Sequence, residues 1–114
     1  MKMIQAIIRH EKLGDVKNAL TEIGVVGLNV TEIQGRGVQK GQTCQWRGAV
    51  YDVDLLSKIK LEMVVDDEIA DLAVDTIRKN ALTGTGNIGD GKIFVWNVEQ
   101  VVRVRTNEQG KEAI

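Results

Sequence analysis

The spacing of apolar and polar positions along this chain changes period several times, and each change marks an element. Residues 3–9 (MIQAIIR) form a short apolar, β-branched run and predict a strand. Between Lys12 and Gly24 the apolar residues fall at Leu13, Val16, Leu20 and Ile23, the three-and-four spacing of an amphipathic helix. Gly24 stands where glycine commonly closes a helix. Residues 27–33 (GLNVTEI) alternate and predict a second strand. Residues 34–57 then carry four glycines and no sustained period, so they read as a long loop, a feature that tends to be functional in a compact domain.

Regular patterning resumes at residues 58–65 (KIKLEMVV), where Ile59, Leu61, Met63 and Val65 face one way and Lys60 and Glu62 the other. Asp66 or Asp67 is placed to cap a following helix that runs to about Leu82, with Ile69, Leu72, Ala73, Thr76, Ile77 and Ala81 on its buried face. A glycine-rich stretch leads into a strand at residues 93–98 and a last short strand at residues 101–106. The order β-α-β, long loop, β-α-β plus a tail strand predicts an α+β, ferredoxin-like βαββαβ fold: an antiparallel sheet with both helices on one face. The other face must be covered or wet and the sheet's edges protected from pairing, and symmetric association would meet both needs.

Composition narrows the function classes. A chain of 114 residues predicts one domain, 1–114. Fifteen basic against sixteen acidic residues leave a net charge of −1, which argues against a nucleic-acid partner. Cys44 is the single cysteine and His10 the single histidine, so no intrachain disulfide, zinc cluster or Cys/His catalytic group is expected. The opening MKMIQAIIRHEK is too short in its apolar part for a signal peptide, and no run approaches a membrane span. The expected location is cytoplasmic, with no direct membrane insertion.

The candidate chemistry lies in TGTGNIGDGK, residues 83–92, with four glycines in ten positions and a lysine at the end. Successive N–H groups of such a turn can converge on phosphate oxygens, and Lys92 adds a point charge. The spacing is not that of a Walker A loop, and no helix follows it. On these residues alone a plain Asp90-Gly91 turn between elements is the favoured reading. Arg103 and Arg105, two apart on a predicted strand, share a face and make a phosphate grip plausible; a charged edge strand explains them equally well. Glu62 is placed to pair with Lys92 across the sheet.

Assembled, these residues resemble the P-II signal-transduction family, the trimeric regulators of nitrogen metabolism. The likeness runs through KMIQAIIR, VTEIQGRGVQKGQT, WRGAVYDVDLLSKIKLEMVV, IGDGKIFV and VVRVRT. The resemblance implies a homotrimer with a T-loop at about residues 36–56, a B-loop at about 83–91 and a C-loop strand at about 101–106. It implies ATP and ADP bound competitively between subunits by Ile7, Asn29, Gly35, Gly37, Val38, Gln39, Glu62, Val64, Thr85, Gly86, Gly89, Asp90, Gly91 and Lys92, with Arg103 and Arg105 from the neighbouring subunit. Gln39 and Lys58 match the positions that hold Mg-ATP and 2-oxoglutarate, with Gln39 toward the magnesium. Arg47 matches a residue that relatives insert into an ammonium channel, and Trp46 beside it is a candidate partner contact; a tryptophan folded onto its own loop is the alternative. Tyr51 aligns with a tyrosine that some relatives uridylylate.

Departures qualify this. The stretch ALTGTGNIGDGK holds two residues more than the family's T-G-x-x-G-D-G-K; taking Thr85 as the family threonine puts the added pair at Thr83-Gly84. Val38 stands where a basic residue helps to hold phosphate, Asn29 replaces a usual threonine, and His10 and Ser57 occupy positions where prolines are common. Nucleotide binding is therefore the firmer expectation and 2-oxoglutarate an open one. The expected function is a non-enzymatic sensor of energy and nitrogen status. It would signal to a membrane transporter of a nitrogen compound (an ammonium channel or an ABC-type permease) or to a nitrogen-metabolism enzyme. Slow ATP hydrolysis using Gln39 and Asp90, a sensor of 2-oxoglutarate with Mg-ATP, and a purely structural trimer are the alternatives.

Overall fold

A computed structural model of the chain describes residues 1–36, 43–46, 49–52, 55–84 and 89–114. Four strands, β1 (Lys2–Ile8), β2 (Asn29–Arg36), β5 (Leu55–Val65) and β6 (Lys92–Asn97), form an antiparallel sheet in the order β2-β5-β1-β6. Helices α1 (Leu13–Glu22) and α2 (Asp67–Ala81) connect them. This is the expected ferredoxin-like α+β arrangement.

The alternation of β1 and β5 sets the two faces. Ile4, Ala6 and Ile8 lie in register with Met63, Leu61 and Ile59, and all six are buried with Val16 and Leu20 of α1 and Ala73 and Ile77 of α2. Period-two side chains on the strands and period-3.6 side chains on the helices thus meet in one layer. Contrary to expectation, Leu72 lies outside the buried stripe of α2, at 51% exposed, and Ala70 is inside it. Alanines at 70, 73 and 81 give that face little bulk, which suits close packing of the helix on the sheet. Neither aspartate caps α2 with its side chain. Asp66 Oδ2 instead meets Lys111 Nζ at 2.7 Å, and Asp67 Oδ1 accepts from the backbone nitrogen of Met1 at 2.9 Å.

Two further expectations change. The region 34–57 is not loop throughout: β2 extends to Arg36, β5 begins at Leu55, and β3 (Thr43–Trp46) pairs with β4 (Ala49–Asp52) as an antiparallel ladder closed by Trp46↔Ala49. Two residues, Arg47 and Gly48, separate those partners in sequence, the commonest hairpin spacing.

The strand expected at residues 101–106 shrinks to one bridge, Val102↔Gln109. The chain doubles back there instead. The Asn107 N–H donates to the Arg103 carbonyl at 2.8 Å, the Arg103 N–H to the Glu108 carbonyl at 2.9 Å, and the Gly110 N–H to the Val101 carbonyl at 2.9 Å. Asn107 has φ 61, a left-handed conformation that asparagine tolerates better than most residues.

Among the described residues, no helix covers the sheet face away from α1 and α2. Its rows include Trp96–Met3–Val64 and Phe94–Gln5–Glu62–Asn29, with Trp96 46% and Phe94 45% exposed. No helix among the described residues is long and apolar enough to cross a membrane.

Candidate functional site

The glycine-rich stretch returns to the sheet at Gly91. Gly91 adopts φ +111, and a Cβ built there would lie 1.7 Å from the Ile7 carbonyl oxygen, so only glycine brings the chain this close to β1. Lys92 follows as the first residue of β6, in register with Ile7. A cleft of about 420 Å³ opens at this junction, lined by Ile7, Gly35, Arg36, Lys58, Gly89, Gly91, Lys92 and Phe94. Six of these were expected from the sequence; Arg36 and Phe94 were not. Residues from β1, β2, β5 and β6 therefore converge on one cavity.

Lys58 is 9% exposed, on the uncovered sheet face beside the cleft, and its Nζ donates to the Gly89 carbonyl oxygen at 3.2 Å. A buried ammonium held by a neutral carbonyl is poorly compensated, and an anion entering the cleft would correct that. Arg9, from the end of β1, places its Nε 3.4 Å from the Gly89 carbonyl oxygen and 3.4 Å from Asp90 Oδ1.

Asp90 points back toward the end of α2. Its Oδ1 accepts from the Thr83 hydroxyl at 2.6 Å and its Oδ2 from the Thr83 N–H at 3.2 Å. These bonds from Thr83 are the main cause holding the Asp90 carboxyl below the usual aspartate range, with the Arg9 charge and the Gly84 N–H adding to the effect. Thr83, which motif matching set aside by placing the added pair at Thr83-Gly84, is thus the partner that engages the Asp90 carboxylate. Its position directly after the helix, seven residues before Asp90, was the available signal.

Other expected residues are distributed differently. Glu62 does not meet Lys92: the register puts Lys92 level with Lys60 across Ile7, and Glu62 Oε1 lies 3.7 Å from Lys60 Nζ. Asn29 is the β2 partner of Glu62. Val64 borders a second cleft of about 570 Å³, shared with Val26, Gly27, Ile69, Val101 and Ile114. Arg103 and Arg105 do not stand side by side on a strand; Arg103 bonds Glu108 at 2.9 Å within the C-terminal hairpin. Trp46 and Tyr51 lie on β3 and β4. Gly37, Val38, Gln39, Arg47, Thr85 and Gly86 lie outside the described residues. Among the described residues no group of three or more His, Cys, Asp or Glu could hold a metal.

This combination, a ferredoxin-like sheet with a glycine stretch delivering a lysine to its edge strand and a hairpin standing between the two β-α-β halves, defines a small α+β module of ferredoxin-like class. The family profile described as Nitrogen regulatory protein P-II matches residues 1–108, and the chain belongs to that family of signal-transduction regulators. It is 54% identical over 114 residues to Nitrogen regulatory protein P-II 1 of Escherichia coli (strain K12), covering 100% of both chains. It is 56% identical over 114 residues to Nitrogen regulatory protein P-II 2 of Methanothermobacter thermautotrophicus, covering 100% of this chain and 97% of that one. Nitrogen regulatory protein P-II of Klebsiella oxytoca is 54% identical over 114 residues, again with both chains fully covered.

Proposed function

We propose that the protein is a homotrimeric adenylate sensor in which ATP and ADP compete for the cleft at Gly89–Lys92. The observation that carries this reading is the convergence of Lys58 and Lys92 on a cleft whose remaining wall includes Gly89 and Gly91. Lys92 supplies a charge to phosphate oxygens, and the glycine backbone leaves room for N–H donors to approach them. The uncovered sheet face, with Phe94 and Trp96 half exposed, is where protomers would meet. Arg103 and Arg105 of a neighbouring protomer would complete the phosphate site.

ATP and ADP signal only by favouring different T-loop conformations, since equal affinity for both would shift nothing. The T-loop, including the β3–β4 hairpin with Trp46 and Tyr51, would present that state to a transporter of a nitrogen compound or to a nitrogen-metabolism enzyme. Lys58 and Gln39 would take 2-oxoglutarate with Mg-ATP as a further input. A catalytic role for Asp90 in ATP hydrolysis is disfavoured, because both carboxylate oxygens are engaged by Thr83.

The test is thermal and calorimetric titration with ATP, ADP and AMP, with and without Mg²⁺ and 2-oxoglutarate. A ligand bound only by the folded protein must raise its melting temperature. ATP and ADP should each do so and displace one another. No shift with either would sink the reading, and turnover at an ordinary enzymatic rate would replace it with an ATPase.

A further inference from the structure

We infer that Thr83 and Asp90, backed by Arg9, form a clamp that closes the base of the glycine-rich loop and thereby aims its nucleotide-facing backbone. The inference rests on the nucleotide reading above and assigns to Asp90 a positioning role through Thr83, with no direct bond from its carboxylate to phosphate.

The geometry has three parts. Thr83, the second residue past α2, binds Asp90 through both its hydroxyl (2.6 Å) and its N–H (3.2 Å), which ties the loop's entry to its exit. The Gly84 N–H adds to the forces that lower the Asp90 carboxyl below its ordinary range. In the peptide that joins Gly89 to Asp90, the Gly89 carbonyl oxygen receives Lys58 Nζ at 3.2 Å, with Arg9 Nε at 3.4 Å. A peptide group is planar and its C=O and N–H point in opposite directions. Fixing the Gly89 carbonyl onto Lys58 and Arg9 therefore fixes the direction of the Asp90 N–H. Gly91 then locks the next peptide against Ile7.

The carboxylate also has an electrostatic reason to face away. An aspartate aimed at a phosphate would repel it, whereas one absorbed by a hydroxyl, two N–H groups and a guanidinium is largely neutralised. The clamp further explains how this chain carries a loop two residues longer than its relatives' motif. The residues between Gly84 and Gly89 lie inside the span the clamp closes, and lengthening a closed loop costs little extra entropy. The residues that follow Asp90 keep their register on β1 regardless.

Three variants of the full-length protein test this: Thr83→Val, which removes the hydroxyl at nearly constant volume; Thr83→Ser, which keeps it; and Asp90→Asn, which removes the charge. ADP affinity is read by calorimetry, and amide hydrogen exchange of Gly84 and Asp90 is read in nucleotide-free protein. Thr83→Val should raise the ADP Kd about tenfold and speed Gly84 exchange by a similar factor, leaving β1 and β5 amides unchanged. Thr83→Ser should stay within about twofold of the wild type in both, and Asp90→Asn should fall between. An unchanged Kd in Thr83→Val against a normal wild type overturns the clamp, as does a loss in Thr83→Ser equal to that in Thr83→Val. Should the wild type bind no adenylate, the nucleotide reading falls. The clamp is then judged by Gly84 exchange alone, and wild-type exchange in Thr83→Val overturns it.

Discussion

Gly91 lies against Ile7 so closely that any Cβ on it would sit 1.7 Å from the Ile7 carbonyl oxygen and 2.8 Å from its carbonyl carbon. Both atoms are backbone in the central strand pair, so neither can turn aside. Gly91→Ala should therefore push the loop off the sheet, with φ +111 adding strain of about 1–2 kcal/mol. The expected result is a lower melting temperature together with loss of measurable ADP binding. Gly84→Ala tests the contrast: its φ of +72 carries the conformational strain, but among the described residues no atom lies within 4 Å of the added carbon. It should cost stability without the collision, and less than Gly91→Ala.

Lys92 begins β6, and its side chain lies outside the core. Lys92→Ala should leave the proposed trimer and the melting temperature of the free protein nearly intact while weakening ADP. Losing one charge-assisted phosphate contact costs about 1.5–3 kcal/mol, or roughly ten- to a hundredfold in Kd. Calorimetry and light scattering on the same sample separate the two effects. Unchanged ADP affinity would show that Lys92 is not a phosphate ligand.

Leu61 is fully buried at the centre of β5, between β1 and β2. Leu61→Ala should cost about 2–5 kcal/mol, the usual range for an uncollapsed cavity. Urea denaturation should show the lower midpoint, with the slope unchanged if the cavity alone is responsible.

The pair of Asp66 and Lys111 ties the C-terminal segment to the start of α2 at 2.7 Å. The hydrogen bond from Lys111 lowers the Asp66 carboxyl below its ordinary value, and Asp66 raises the Lys111 ammonium above its own. A depressed carboxyl contributes stability above its unfolded pKa and loses it as pH falls through the folded one; the raised ammonium loses its contribution only as pH rises through its folded value. The pair should therefore be intact at neutral pH and open in acid, below the usual aspartate range. Lys111→Met should flatten the acid limb of a stability profile taken downward from about pH 5. An unaltered acid limb would mean the pair contributes nothing.

Much of this architecture was legible because periodicity reports burial. The alternation at Ile59, Leu61, Met63 and Val65 and the spacing of Val16 and Leu20 named core residues correctly. Leu72 misled because size suggested burial, while the packed stripe of α2 is built from Ile77 and the alanines at 70, 73 and 81. The β3–β4 hairpin escaped because its strands are four residues each and their sequences, TCQW and AVYD, share no sustained apolar period. At residues 101–106 the alternation of VVRVR looked like a strand, but local bonding between Arg103, Asn107 and Glu108 turns the chain back.

The cleft was legible at Gly89, Gly91 and Lys92 through residue type. Thr83 and Arg9 were not, because their contribution depends on contacts across the fold. His10 and Ser57 make the same point. They lie far apart in sequence, yet His10 Nε2 lies 2.9 Å from Ser57 Oγ, so the two side chains form one feature joining the segment after β1 to β5.

The most direct measurement is a calorimetric titration of the intact protein with ADP, followed by ATP into the ADP-saturated sample. Saturable binding at one ADP per chain, with ATP displacing it, is the predicted result. Heats no larger than dilution at millimolar ADP would contradict it, because the cleft between β1, β5 and β6 would then have no affinity for the adenylate it is proposed to hold.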